Sequence, residues 1–232
     1  MLALALALTL HAGGPANLLV WGGGKTPALA QASLDDWKQR SGAWSSWINL
    51  ASGYPRVVKS DDVQGLNPGF HIVVLGACSD AEVTMRLDLL KLLEPSVYQK
   101  AVTWPEAPAC PQLGTKDVPW EDVSPIVRTK VAGGELSALT ISRGRDQVWA
   151  SEVLVRFQPK SGDPVFENYE HADCDGGNFA PRAGGLAVEV ECVTGRCTTW
   201  GTSLIRYTYT VKDGQVSEST KVAKVISKAV CD

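Results

Sequence analysis

Residues Gly65–Leu93, GLNPGFHIVVLGACSDAEVTMRLDLLKLL, set a turn, an apolar strand and an amphipathic helix in immediate succession. Leu66-Asn67-Pro68-Gly69 carries the proline and glycine whose dihedrals preset a tight reversal. Phe70–Gly76 is almost wholly apolar, the pattern of a strand buried on both faces. Ser79-x-x-Glu82 is a capping-box pattern, and Val83, Leu87 and Leu90 then recur on one helical face until Pro95 stops the helix.

The upstream residues repeat this alternation. Asn17–Trp21 reads as a short strand closed by Gly22–Gly24, and Thr26 caps a helix with Pro27 at its first position. Ala30, Leu34 and Trp37 give that helix one buried face, and Ser41-Gly42 ends it. Arg56–Lys59 and Val97–Thr103 supply two more strands, so residues 17–103 run strand, helix, strand, strand, helix, strand. That order is the split βαβ, ferredoxin-like arrangement. From about Thr115 helical periodicity gives way to β-rich runs at Leu136–Ser142, Gln147–Phe157, Leu186–Cys192, Thr198–Val211 and Val216–Val225, separated by turn glycines. The expected fold class is therefore α+β: a ferredoxin-like βαββαβ domain over residues 17–112, then an antiparallel all-β domain over residues 115–232.

With 44% hydrophobic and 20% charged residues, the chain has material for a real core. A formal net charge of -3 without a Lys/Arg block lacks the electrostatic footprint of a nucleic-acid binder. Residues 2–10, LALALALTL, are too short to span a bilayer and read as the core of a signal peptide covering residues 1–16, with cleavage between Ala12 and Ala16. The mature protein is expected to be exported, periplasmic or extracellular, with no membrane association. Its six cysteines, an even set in an exported chain, point to disulfides, for which sequence alone allows 15 connectivities. The expected pairs are Cys192 with Cys197 across a hairpin tip, Cys78 with Cys110, and Cys174 with Cys231.

Several short patterns point elsewhere and fail on detail. Gly22-Gly23-Gly24-Lys25-Thr26 ends like a phosphate-binding loop, but the first glycine of that motif falls on Leu19. His171-Ala-Asp-Cys-Asp-Gly-Gly-Asn178 is faintly like a calcium loop without ligands in register, and reads as a polar surface loop. Only His71 and His171 remain as bases in the mature chain, and no Gly-x-Ser-x-Gly elbow is present. No metal site, cofactor or catalytic residue is assigned.

The residues SGYPRVVKSDDVQGLNPGFHIVVLGACSDAE (Ser52–Glu82), with VYQKAV (Val97–Val102) after the helix, resemble the second half of a SPOR-like domain, a ferredoxin-like module whose best-understood members bind bacterial septal peptidoglycan glycan. In glycan-binding members the first strand runs approximately Val-Gln-x-Gly-Ser-Phe. Here it is VWGGGK, with Trp21 at the Gln position, and the apolar run His71–Leu75 predicts a covered sheet face. The resemblance implies a bacterial, non-catalytic, exported binding protein whose ligand face lies around Trp21, Ile72 and Val74. Two other readings stand beside it: a protein–protein adaptor or inhibitor whose β domain presents the interface, and a hydrolase with an unmarked carboxylate pair.

Overall fold

The computed structural model describes residues 13–115, 120, 122–145, 148–174, 177–196 and 199–230. The chain divides into two compact units, residues 1–87 with 96–114, and residues 88–95 with 115–232.

The first unit holds β1 (Gly14–Gly24), α1 (Pro27–Ser41), β2 (Ile48–Asn49), β3 (Arg56–Lys59), β4 (His71–Cys78), the first part of α2 (Asp80–Leu93), β5 (Tyr98–Trp104) and β6 (Gln112–Leu113). Its four-stranded sheet runs β3-β4-β1-β5 with all neighbours antiparallel, and β2 pairs with β6. Thr26 caps α1 by accepting the Leu29 N–H, with Pro27 at the first turn. Gly22–Gly24 continues β1 rather than turning. Its ladder with β4 runs through Gly23, whose φ of +149° and 2.2 Å approach of an added Cβ to the His71 carbonyl oxygen admit only glycine. The glycine run is thus a strand end held against a neighbour, with its backbone in the sheet and not free to cradle phosphate.

Trp21 is the extra residue of a bulge, lying between the Val20↔Val74 and Gly22↔Val73 pairs. Its indole packs against α1, with ring centroids 4.9 Å from Trp37 and 5.8 Å from Trp44, and its N–H donates to the Asp36 carboxylate at 3.1 Å. The Arg40 guanidinium lies 5.2 Å from the Trp21 ring and 5.3 Å from that of Trp44. A second cluster gathers Leu18, Val20, Ile72, Val74, Val102 and Trp104 under Val63, with Tyr54, Val58 and Leu66 packed around them. Downstream of β5 the chain returns across β4: the Ala77 N–H donates to Ala109, and Cys78 and Cys110 are bonded.

The second unit holds residues Asp88–Leu93 of α2, β7 (Asp122–Val123), β8 (Val127–Val131), β9 (Gly134–Arg145), β10 (Val148–Pro159), β11 (Val165–Ala172), β12 (Phe179–Arg182), β13 (Gly185–Arg196), β14 (Trp200–Lys212) and β15 (Gln215–Ser227). One sheet runs β11-β10-β9-β7 with β8 also on β9, and the other runs β12-β13-β14-β15. Leu136, Val153, Val155 and Phe157 from the first sheet meet Leu186, Val188, Val190, Tyr207 and Tyr209 from the second in one core.

The expected α+β class, a ferredoxin-like domain followed by an all-β domain, is corrected. Among the described residues the protein is mostly β, 56% strand and 18% helical, with two α-helices and four antiparallel sheets. Helix α1 packs on its unit's sheet, whereas α2 is divided, with Asp88–Leu93 belonging to the second unit.

Two disulfide expectations are also corrected. Cys192 is bonded to Cys174, which excludes both Cys192–Cys197 and Cys174–Cys231; Cys197 and Cys231 themselves lie outside the described residues. The pairing follows from strand geometry, because Asp173 accepts the Val193 N–H and Cys174 bridges Cys192.

Trp37 is 4% exposed and touches both other indoles of its cluster. Trp37→Ala is expected to destabilise the chain by about 3–5 kcal/mol, as large-to-small changes of buried aromatics do. Urea unfolding checks this, and a loss below about 1 kcal/mol contradicts the packing described.

Candidate functional site

The first unit carries an open groove of about 270 Å³, lined by Ser60, Leu66, Asn67, Phe70, Ile72, Tyr98 and Lys100. Its roof is the segment between β3 and β4. The Ser60 N–H donates to the Phe70 carbonyl at 2.8 Å, and the Phe70 N–H donates back to Ser60 Oγ at 2.9 Å. The Gly69 N–H adds a 3.3 Å bond to the Asp61 carboxylate, which also lies 3.9 Å from Lys59 Nζ. These bonds close the loop at its base and leave Ser60 2% exposed.

The loop is also tied to β5, where the Thr103 N–H donates to the Gln64 carbonyl at 3.0 Å. Gly65, at φ +103°, brings the backbone so close that an added Cβ would stand 3.1 Å from the Ala101 carbonyl oxygen and Val102 Cα. Side chains alternate along a strand with a period of two, so Tyr98, Lys100 and Val102 share one face of β5. The loop covers Val102, which is 8% exposed, and stops short of the other two. Tyr98 is 46% exposed and Phe70 37%, so two aromatic rings border a floor that includes Ile72.

The Asn67 amide, the Ser60 hydroxyl, the Tyr98 phenol and the Lys100 ammonium supply polar groups around this apolar floor. Burial raises the Tyr98 phenol above its ordinary range, so it is a neutral hydroxyl at physiological pH. Exposed aromatic planes beside a few hydrogen-bonding groups suit a flexible polar ligand with apolar faces, such as a sugar ring.

Of the three sequence-predicted ligand residues, Ile72 lines the groove, being 7% exposed there. Val74 is 0% exposed within the cluster under Val63, and Trp21, at 4%, is packed into the tryptophan cluster on α1. Sequence reading passed over Phe70, Tyr98, Asn67, Ser60 and Lys100. A signal for two of them was present: VYQKAV alternates, so a strand there puts Tyr98 and Lys100 on one face.

The second unit holds a buried polar cluster. His171 Nε2 lies 2.8 Å from the Glu218 carboxylate and 3.5 Å from the Tyr209 hydroxyl, and its ring stacks on Tyr207 at 3.6 Å between centroids. His171 is 6% exposed, so the pair joins β11 to β15 from inside the core. A polar pocket of about 240 Å³ is lined by Asp122, Ser124, Thr140, Ser142 and Asn178 among others, with Thr140 Oγ1 donating to the Gly177 carbonyl. Among the described residues no three His, Cys, Asp or Glu side chains gather as a metal-binding group, and no helix is long and apolar enough to cross a membrane. No family model, curated protein or solved structure matches this chain.

Burial raises all five tyrosines, Tyr54, Tyr98, Tyr169, Tyr207 and Tyr209, with Tyr209 also pushed up by Glu218. The folded protein therefore holds protons that the unfolded chain gives up near pH 10, so the stability contributed by neutral phenols is lost as pH rises above about 10. Spectrophotometric titration is expected to show native phenolate forming at higher pH than in urea. Superimposed native and unfolded curves contradict this.

Proposed function

We propose that this chain is an exported, non-catalytic binding protein that takes cell-wall peptidoglycan glycan in the Phe70–Tyr98 groove. The observation that carries the proposal is the pairing of two exposed aromatic rings with the Asn67 amide and the Tyr98 hydroxyl over the apolar floor at Ile72. Aromatic rings offer large contact area at low entropic cost, and the amide and hydroxyl match sugar hydroxyls. The resemblance of Ser52–Glu82 to the second half of a SPOR-like domain, a module whose best-understood members bind glycan, supports the choice of glycan. The Cys78–Cys110 and Cys174–Cys192 disulfides fit an oxidising compartment, and so support export.

A second reading, a protein–protein adaptor, is favoured by one observation. Val222 and Val225, with Ile226, are each about half exposed on the edge strand β15, and Val230 follows them in the tail. An exposed apolar edge is a surface on which another chain can add a strand.

Co-sedimentation of the full chain with purified peptidoglycan sacculi tests the first reading. Phe70→Ala and Tyr98→Ala are each expected to weaken retention about tenfold, the cost of removing a central aromatic contact. Retention that both variants leave unchanged contradicts the groove as the binding site, and no retention of the parent chain contradicts glycan binding.

A further inference from the structure

We infer that Lys100 makes the groove selective for carboxylate-bearing glycan over the same glycan without its charge. The inference rests on the glycan reading above and adds the ligand's charge class.

Lys100 stands on β5 two residues from Tyr98, on the same strand face, and lines the groove with it. Five other cations of this unit are engaged: Lys38 with Asp35, Arg40 with Asp36, Arg56 with Glu106, Lys59 with Asp61 and Arg86 with Glu82; Lys25, which has no ion pair among the described residues, does not line the groove. No carboxylate is paired with Lys100 among the described residues, although the chain as a whole carries a formal charge of -3. Asp61, the carboxylate at the base of the groove's loop, is turned to Lys59 and the Gly69 N–H. Lys100 has no ion-pair partner among the described residues and lines the groove with two aromatic residues and Asn67, which leaves one positive charge for a ligand to satisfy. A neutral sugar uses the rings and the amide alone. A sugar carrying a carboxylate uses the ammonium as well, and the repulsion that a net-negative protein presents to an anion is reversed at this point.

The probe is amidase-treated sacculi, in which stem peptides are removed, used before and after carbodiimide amidation of the remaining carboxylates. The parent chain is expected to bind the unmodified glycan about fivefold more tightly than the amidated form, the size expected of one solvent-exposed ion pair. Raising the salt concentration narrows that difference. Lys100→Met is expected to bind both forms equally, at the level of the parent chain on amidated glycan, while Lys100→Arg keeps the preference. Lys100 is exposed, so an unchanged thermal transition accompanies the Met variant.

Equal binding of the parent chain to both forms overturns the inference; if Phe70→Ala still weakens both, the groove reading survives it. A preference that persists in Lys100→Met also overturns it and assigns the charge elsewhere, with Lys221, Lys224 and Lys228 on and beside β15 the first to vary. Binding to neither form removes both the inference and the reading beneath it.

Discussion

The reciprocal hydrogen bonds between Ser60 and Phe70 govern everything the first unit presents to a ligand. They fold the segment between β3 and β4 back on its own base, with Asp61 fixing the Gly69 turn beside them. A loop closed in this way loses little further entropy when it covers the sheet, so Val63 and Leu66 can bury Val74 and Val102 beneath it. The same closure places the Phe70 ring across from Tyr98. Without it the sheet face would be an unshaped apolar surface. With it, that face becomes a covered core at one end and a groove at the other.

Close backbone approach is the second constraint. Gly23 and Gly65 stand where a Cβ would strike a neighbouring strand, and both have positive φ. Gly23 lets β1 stay paired with β4 to its last residues, and Gly65 lets the loop reach β5. In the second unit the corresponding tie is chemical: Cys174–Cys192 and the His171–Glu218 pair hold elements of the core together from within. A partly buried pair of this kind fixes which strands face one another more than it adds net stability.

Much of the element order was legible, because it rests on local rules. The Thr26-Pro27 start of α1 and the apolar run of β4 follow from capping and periodicity alone. The balance between helix and sheet was not legible, and α2 shows why. Asp88-Leu-Leu-Lys-Leu-Leu93 is apolar on nearly every side, and Leu89, Leu90, Leu92 and Leu93 are all fully buried. A helix that is apolar all round has no single buried face, so the periodicity of Val83, Leu87 and Leu90 could not show that its last six residues group with the second unit. The cysteine pairing failed for a related reason: proximity in sequence favoured Cys197 for Cys192, whereas the backbone bond from Val193 to Asp173 sets Cys174 beside it. Trp21 and Val74 were expected at the ligand face from the SPOR-like resemblance, and burial, which only the packed structure supplies, turned both inward.

The proposed ligand contact is confined to the groove beneath the closed loop. Amide chemical-shift mapping of the labelled chain, titrated with soluble glycan fragments released from amidase-treated sacculi, tests it most directly. The account predicts saturable shifts at Ser60, Asn67, Phe70, Ile72, Tyr98 and Lys100, with Val222 and Val225 unmoved. Shifts confined to β15, or none at a saturating concentration of glycan, would contradict it.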